Sequence, residues 1–431
     1  MKKLLFILSL FLVACGADVE PNPLPPPSAP VKATSPAPPT STVMDAPSLD
    51  KWALWTNGTQ LRGANTWQRI VVPKYDGDEF LGNNYIGPPY TQVDFDALAA
   101  LGANYVNLSH PGVFTERPPY VLDEKVVENL DKIIAMATKA DMFVVITFRT
   151  GPGRNDFTFY RDDDWFADED LIENLWGDAA AQSAWVEMWR YTAERYHDNP
   201  VVVGYDLICE PNANEILDEW NQEAFYAEYG GTVYDWNRWY PDVVAAIREV
   251  DAETPILVAG EGYSALDWLP YLQPIAAERI VYSFHQYAPF IYTHQEPRGR
   301  NAYPDTFDTD YDGDDDLFAP NWFDEYFSIV SDFSTEFDAT LAVNEYGVAR
   351  WVPGAADFMH DEMKAFEDHG LNYALWVWDP AWQPWTEDVN FLNFRFGPDS
   401  KNAVNIENEL QDTITSFWAK NTLHPSSFME P

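Results

Sequence analysis

The chain has 431 residues, 46% apolar and 16% aromatic, enough to bury a deep core in one large domain or two ordinary ones. Its 69 acidic and 26 basic residues give a formal net charge of -43, a field that repels nucleic acid and anionic polymers but does not penalise a neutral polymer. The same acidity reads as a solvated, aggregation-resistant surface.

In chain order, Met1-Lys2-Lys3 is basic and 4–13 is apolar but too short to span a bilayer, so residues 1–15 read as a targeting signal. Leu12-Val13-Ala14-Cys15 looks like a bacterial lipobox, which makes Cys15 the expected lipidation site. Gly16 follows where an Asp would suggest inner-membrane retention, so an exported lipoprotein at the outer membrane or cell surface is expected, touching the membrane only through that anchor. Residues 16–43 are dense in proline among Ser, Thr and Ala, an extended linker rather than a fold. The one other cysteine is Cys209, so no disulfide is available inside the expected domain, 44–431.

Short apolar runs then recur at 61–65, 104–108, 142–148, 201–208, 256–259, 280–284, 340–344 and 373–376, eight expected strands. Between the second and third, Val126, Leu130, Ile133, Ile134 and Ala137 form one helical face. Further helices are expected over 179–197, 235–250, 322–337, 355–369 and 406–419. This alternation predicts a single α/β domain of (β/α)8 barrel type, with a doubly wound open sheet as the weaker alternative because no glycine-rich phosphate loop follows the first strand. Glu210 and Glu345 close the fourth and seventh runs. A barrel gathers its strand ends around one mouth, and two carboxylates meeting there are what cleavage of a glycosidic bond requires.

Leu61-Arg62-Gly63-Ala64-Asn65-Thr66-Trp67, Glu210-Pro211, Tyr282-Ser283-Phe284-His285-Gln286-Tyr287-Ala288-Pro289, Glu345-Tyr346-Gly347 and Ala374-Leu375-Trp376-Val377-Trp378 occur in that order. On these segments the chain from Leu54 to Trp418 resembles glycoside hydrolase family 5, a cellulase family. The resemblance implies a retaining mechanism with Glu210 as acid/base, Glu345 as nucleophile and the ionised Glu345 keeping Glu210 protonated. It further implies that Tyr287 donates to Glu345, that His285 stands beside the carboxylates and that Trp376 floors the reacting sugar. Trp67, Trp382 and Trp385 are candidates for further sugar contacts.

Three positions depart from the family pattern. Asn107 stands where the second strand usually bears arginine, Arg149 where the third usually ends in histidine, and Cys209 where an asparagine usually precedes the acid/base and holds the sugar 2-hydroxyl. Arg149 is expected to replace the charge missing at Asn107, and all three are counted as substrate-contacting positions. The expected substrate is a β-linked glucan cleaved by an endo-β-1,4-glucanase, with mannan or another β-glycan as the rival. A barrel that only binds glycans at the cell surface is the reading of another class. The chemistry needs no cofactor. Asp308, Asp310 and Asp312 open a loop spaced as in a calcium site, yet its twelfth position is Ala319 rather than the closing glutamate, so a solvated insertion is the stronger reading. A monomer is expected.

Overall fold

The computed structural model describes residues 49–76, 85–161, 163, 165–379 and 390–428. Cys15, the proline-rich stretch, Trp382 and Trp385 lie outside the described residues. Eight parallel strands close a barrel in sequence order: β1 (Arg62–Trp67), β2 (Tyr105–Pro111), β3 (Phe143–Thr150), β4 (Val202–Asp206), β5 (Ile256–Ala259), β6 (Ile280–Gln286), β7 (Thr340–Tyr346) and β8 (Asn372–Leu375). β8 hydrogen-bonds back to β1, with Gly63 opposite Ala374. This is the expected (β/α)8 fold.

The helices that cover it follow from periodicity and capping. In α1 (Gln92–Ala100) Thr91 and Asp94 form a reciprocal capping box. α2 (Glu124–Lys139) buries the five residues of the sequence stripe, and the Asp123 carboxylate caps it by accepting from Lys125 N and Val126 N. α3 (Ala179–Tyr196), α4 (Trp236–Arg248), α5 (Ser328–Phe337), α6 (Ala355–Asp368) and α7 (Glu409–Trp418) complete the outer layer. After β5 the place of a helix is taken by one 3-10 segment, Leu266–Tyr271, which contains Pro270. The helix expected over 322–337 is two helices, Pro320–Tyr326 and α5, meeting at Phe327, whose fully buried ring packs against Phe284 and Phe366. α7 begins at Glu409 rather than 406 because Asn408 caps it, accepting from Gln411 N.

Side chains inside the barrel are layered. Leu61, Tyr105, Phe143, Val145, Val203, Leu257, Val281, Ala342 and Ala374 form an apolar plug with Leu54 and Trp55. Trp55 Nε1 donates to the Val203 carbonyl at 2.9 Å, fixing the plug to β4. A second, larger core lies between strands and helices. Among the described residues this plug seals the N-terminal end of the barrel, and the C-terminal mouth is where a barrel takes its ligands.

Candidate active site

Glu345 lies in β7 itself, while Glu210 lies four residues beyond β4 with a left-handed backbone, φ 56. That conformation is costly for a residue with a Cβ, so its surroundings must hold it. Arg154 does so, donating through Nη1 to the Cys209 carbonyl at 2.6 Å and through Nη2 to the Glu210 carbonyl at 2.8 Å. Downstream, the buried Glu261 carboxylate accepts from Ala213 N at 2.9 Å and ties the same loop to the end of β5.

The barrel brings the two glutamates together. One carboxylate oxygen of Glu210, one of Glu345 and a ring nitrogen of His285 all lie within 4.8 Å of one another. His285 Nδ1 is 2.9 Å from Glu210 Oε1 and 3.5 Å from Glu345 Oε2. Tyr287 donates its hydroxyl to Glu345 Oε2 at 3.1 Å, and the Cys209 thiol faces Glu345 Oε1 at 3.5 Å.

The electrostatics depart from the sequence expectation. Burial raises the proton affinity of the Glu210 carboxyl, but the His285 hydrogen bond and the charges of His285, Arg149 and Arg154 outweigh it and hold Glu210 below the usual range. Burial and the neighbouring Glu210 raise Glu345 instead. Burial disfavours the His285 imidazolium, yet Glu345 and Glu210 together raise its pKa. His285 thus stands between the two carboxylates, within reach of both, and their charges favour its protonated form. Burial and the same two glutamates push the Cys209 thiol well up, so it is no thiolate.

These groups sit in a cleft of about 1080 Å³ whose lining includes Trp67, Arg149, Glu210, His285, Tyr287, Glu345 and Trp376. The Arg149 guanidinium is held by Asp156, Nε to Oδ1 at 2.7 Å, lies 3.6 Å over the Phe159 ring and 5.3 Å from the Trp376 ring centre, and reaches Cys209 Sγ at 3.7 Å. Burial opposes its charge, and Asp156 together with the other groups around it, Glu210 among them, outweighs burial and raises its pKa. Asn107, expected to touch substrate, is not in the cleft. It sits one layer lower, fully buried, with Nδ2 donating to Asn65 Oδ1 at 2.6 Å and Oδ1 meeting Thr147 Oγ1 at 2.6 Å. Strand alternation correctly turns Asn107 inward but carries no depth, and depth is what removes it from the sugar. Cys209 likewise touches Glu345 and Arg149 from beneath, with no exposed surface.

Several cleft residues were not among the site candidates expected from the sequence. Trp220 stacks on Tyr263 at 6.4 Å and 16° in the loops after β4 and β5, and Trp322 on Tyr326 at 4.6 Å and 17° in the helix Pro320–Tyr326 that follows β6. His294 stacks on Phe290 at 3.9 Å, and burial lowers its pKa to about 3, so it is neutral. The acidic loop is the tip of a hairpin, Asp305–Phe307 paired with Asp316–Phe318. Asp308, Asp310 and Asp316 converge there, without Asp312. Asp308 accepts from Tyr311 N at 2.7 Å and from Gly313 N at 3.1 Å, and Asp316 from Thr309 N at 3.1 Å. Three converging carboxylate oxygens are fewer than the six to eight oxygens that calcium takes.

Glu261 gives a stability test. Burial raises its pKa to about 8, so the folded chain keeps a proton that the unfolded chain loses near the ordinary carboxylate value. Its contribution is present at low pH and is lost as pH rises toward 8. Glu261→Gln, which preserves the acceptor for Ala213 N, is expected to raise the melting temperature at pH 8 and to change it much less at pH 5, read by thermal melts of both proteins.

The family model Cellulase (glycosyl hydrolase family 5) matches residues 55–381. Endoglucanase C of Acetivibrio thermocellus is 26% identical over 208 residues, 48% of this chain and 52% of that protein. The chain thus spans about half the length of that relative. Cellodextrinase A of Ruminococcus flavefaciens is 26% identical over 65% of this chain and 75% of its own, and a beta-xylosidase of Phanerodontia chrysosporium 21% identical over 70% and 58%. Among solved structures, Cel5A of Thermotoga maritima in complex with cellobiose superposes with a TM-score of 0.58 at 16% identity, covering 85% of this chain and 100% of that one. That likeness concerns the fold.

Proposed function

Since the chain belongs to glycosyl hydrolase family 5, we propose that it is a retaining hydrolase of β-linked glycans, with Glu210 as acid/base and Glu345 as nucleophile. The observation that carries this reading is the separation of the two carboxylates, with facing oxygens within 4.8 Å. Retaining enzymes need roughly 5 to 5.5 Å between carboxyls, whereas inverting enzymes need about 6.5 to 9.5 Å to admit a water.

Glu345 attacks the anomeric carbon while Glu210 protonates the glycosidic oxygen, so the C–O bond breaks and a glycosyl ester forms. Water, deprotonated by Glu210, then cleaves the ester. Glu210 needs a proton for the first half, and His285 holds one 2.9 Å away. A bound sugar excludes water from the cleft and favours neutral forms, so transfer from Nδ1 to Oε1 arms Glu210 and leaves a neutral imidazole. Tyr287 meanwhile holds Glu345 in orientation.

We take the substrate to be a β-1,4-glucan cut within the chain. Two relatives are named endoglucanase and cellodextrinase, and Trp220, Tyr263, Trp322 and Tyr326 extend the aromatic lining beyond the acid/base on the side of the loops after β4 to β6. Trp220 is 51% exposed and available to stack on a sugar of the departing chain. Trp220→Ala is expected to raise KM for long oligosaccharides about three- to tenfold with kcat retained, and to leave aryl monoglycosides unaffected. A mannan is the rival substrate, because Cys209 stands where the family resemblance implies an asparagine that holds the sugar 2-hydroxyl, the group at which glucose and mannose differ. A panel of soluble glucans, mannans and xylans, read by reducing ends and product lengths, decides. Glucan as the best substrate with a spread of products supports the reading; mannan preference or one terminal product overturns its finer part. The basic-apolar start and the quartet ending at Cys15 support export and lipid anchoring, with residues 16–43 as a stalk.

A further inference from the structure

Two consecutive residues of β7 face the barrel interior. Ala342 belongs to the apolar plug, and Val343 and Tyr346 pack outward under the helices. Strict alternation would turn Asn344 inward and Glu345 outward. Instead the register slips. Val343 opposes Phe284 and Glu345 opposes the very next residue of β6, His285; against β8, Val343 opposes Tyr373 and Tyr346 opposes Leu375. Asn344 is the extra residue of a bulge that lets Glu345 point into the cleft as well.

Asn344 is anchored on both sides. Its Nδ2 donates to Asp206 Oδ2, and its carbonyl accepts from Asn65 Nδ2 at 2.9 Å. Asp206 lies on the barrel floor beneath the catalytic pair, 2% exposed, with Oδ1 unpartnered among the described residues. Thr147 Oγ1 sits 2.6 Å from Asn107 Oδ1 and 3.1 Å from Asp206 Oδ2. A hydroxyl has one proton. With that proton on Asn107, the contact to Asp206 is satisfied when Asp206 itself carries one. The titratable groups facing Asp206 are His285 of β6, Glu345 of β7 and Tyr105 of β2, and burial raises its pKa to about 7.

We propose that Asp206, on the barrel floor, is a positioning residue that clamps Asn344 and thereby holds the bulge that aims Glu345. The proposal rests on Glu345 as nucleophile, so its test has one readout in activity and one outside it. Asp206→Asn carries no charge and, with its carbonyl oxygen at the place of Oδ2, still accepts from Asn344 Nδ2, while Thr147 Oγ1 faces that same oxygen. Asp206→Ala and Asn344→Ala remove the clamp. Each alanine variant is expected to lower kcat about 10- to 100-fold with KM within about threefold, since a small misplacement of a reacting group costs this much. The double variant is expected to be no slower than either single one, because both break one link. Asp206→Asn is expected to keep most of kcat. Hydrogen exchange over 340–348 should quicken in both alanine variants and not in Asp206→Asn. An Asp206→Asn enzyme as slow as Asp206→Ala, losses that multiply in the double variant, or unchanged exchange would overturn the clamp. Should Asp206→Ala not fold, Asn344→Ala against Asp206→Asn makes the same comparison. A wild type inert on every glycan would defeat the functional reading alone, and exchange would still decide the clamp.

Discussion

Glu345→Ala is expected to abolish glycan hydrolysis, with kcat reduced on the order of 10⁴-fold or more. Glu345 is the more deeply placed carboxylate, with a side chain 4% exposed against 14% for Glu210, and it receives Tyr287 at 3.1 Å. The neighbouring Cys209 does not replace it, since it is held as a thiol. Alanine at this position leaves a cavity beside the anomeric carbon that a small anion can fill. Azide added to Glu345→Ala with an activated aryl β-glycoside should restore turnover and give the α-azide, whereas an acid/base role for Glu345 in a double displacement would give the β-azide. Substrate binding should persist, because the aromatic lining is intact. Full activity in Glu345→Ala would refute the assignment.

Glu210→Ala is expected to separate substrates by leaving group. With oligosaccharides, whose alkoxide leaves poorly, loss of the proton donor should cost about 10²- to 10⁴-fold in kcat/KM. With an aryl glycoside that leaves without help, formation of the glycosyl ester should be nearly unimpaired and its hydrolysis slow, so a burst should precede steady turnover. The pH profile carries the same logic. In the wild type the proton for Glu210 is shared with His285, whose pKa the glutamates raise, so kcat/KM should fall on the alkaline side as that unit deprotonates. On the acid side it should fall as Glu345, itself raised, becomes protonated. Glu210→Ala acting on the aryl glycoside should lose the alkaline limb and keep the acid one. An alkaline limb that survives unchanged would assign it elsewhere.

The barrel was legible because buried parallel strands are written as uninterrupted apolar runs, and the run 142–148 can hardly be anything else beside the one-sided face of α2. Glu210 and Glu345 were legible as acids at the ends of such runs, where burial demands a reason. Depth and register were not. Asn107 and Arg149 both point inward from neighbouring strands, and one lies a layer below the other, a difference that alternation does not encode. The bulge at Asn344 left no mark either, because Asn344 and Glu345 are both polar and alternation assigns them opposite faces. Arg154, which props up the left-handed Glu210, lies in a loop without pattern. The hairpin at 305–318 was obscured by its own acidity, which resembles a metal loop although its carboxylates bind turn amides. The position of His285 was unreadable for a related reason: it stands 2.9 Å from Glu210 and 3.5 Å from Glu345, a difference that no pattern in the sequence encodes.

The most direct test of double displacement by this carboxylate pair is the anomeric configuration of the first product. Proton NMR of a soluble β-glucan oligosaccharide, followed from the first minute of hydrolysis, should show the β-anomer of the new reducing end appearing first and the α-anomer only later by mutarotation. Initial formation of the α-anomer would mean a single inversion, and would contradict Glu345 as nucleophile and Glu210 as the acid that becomes the base.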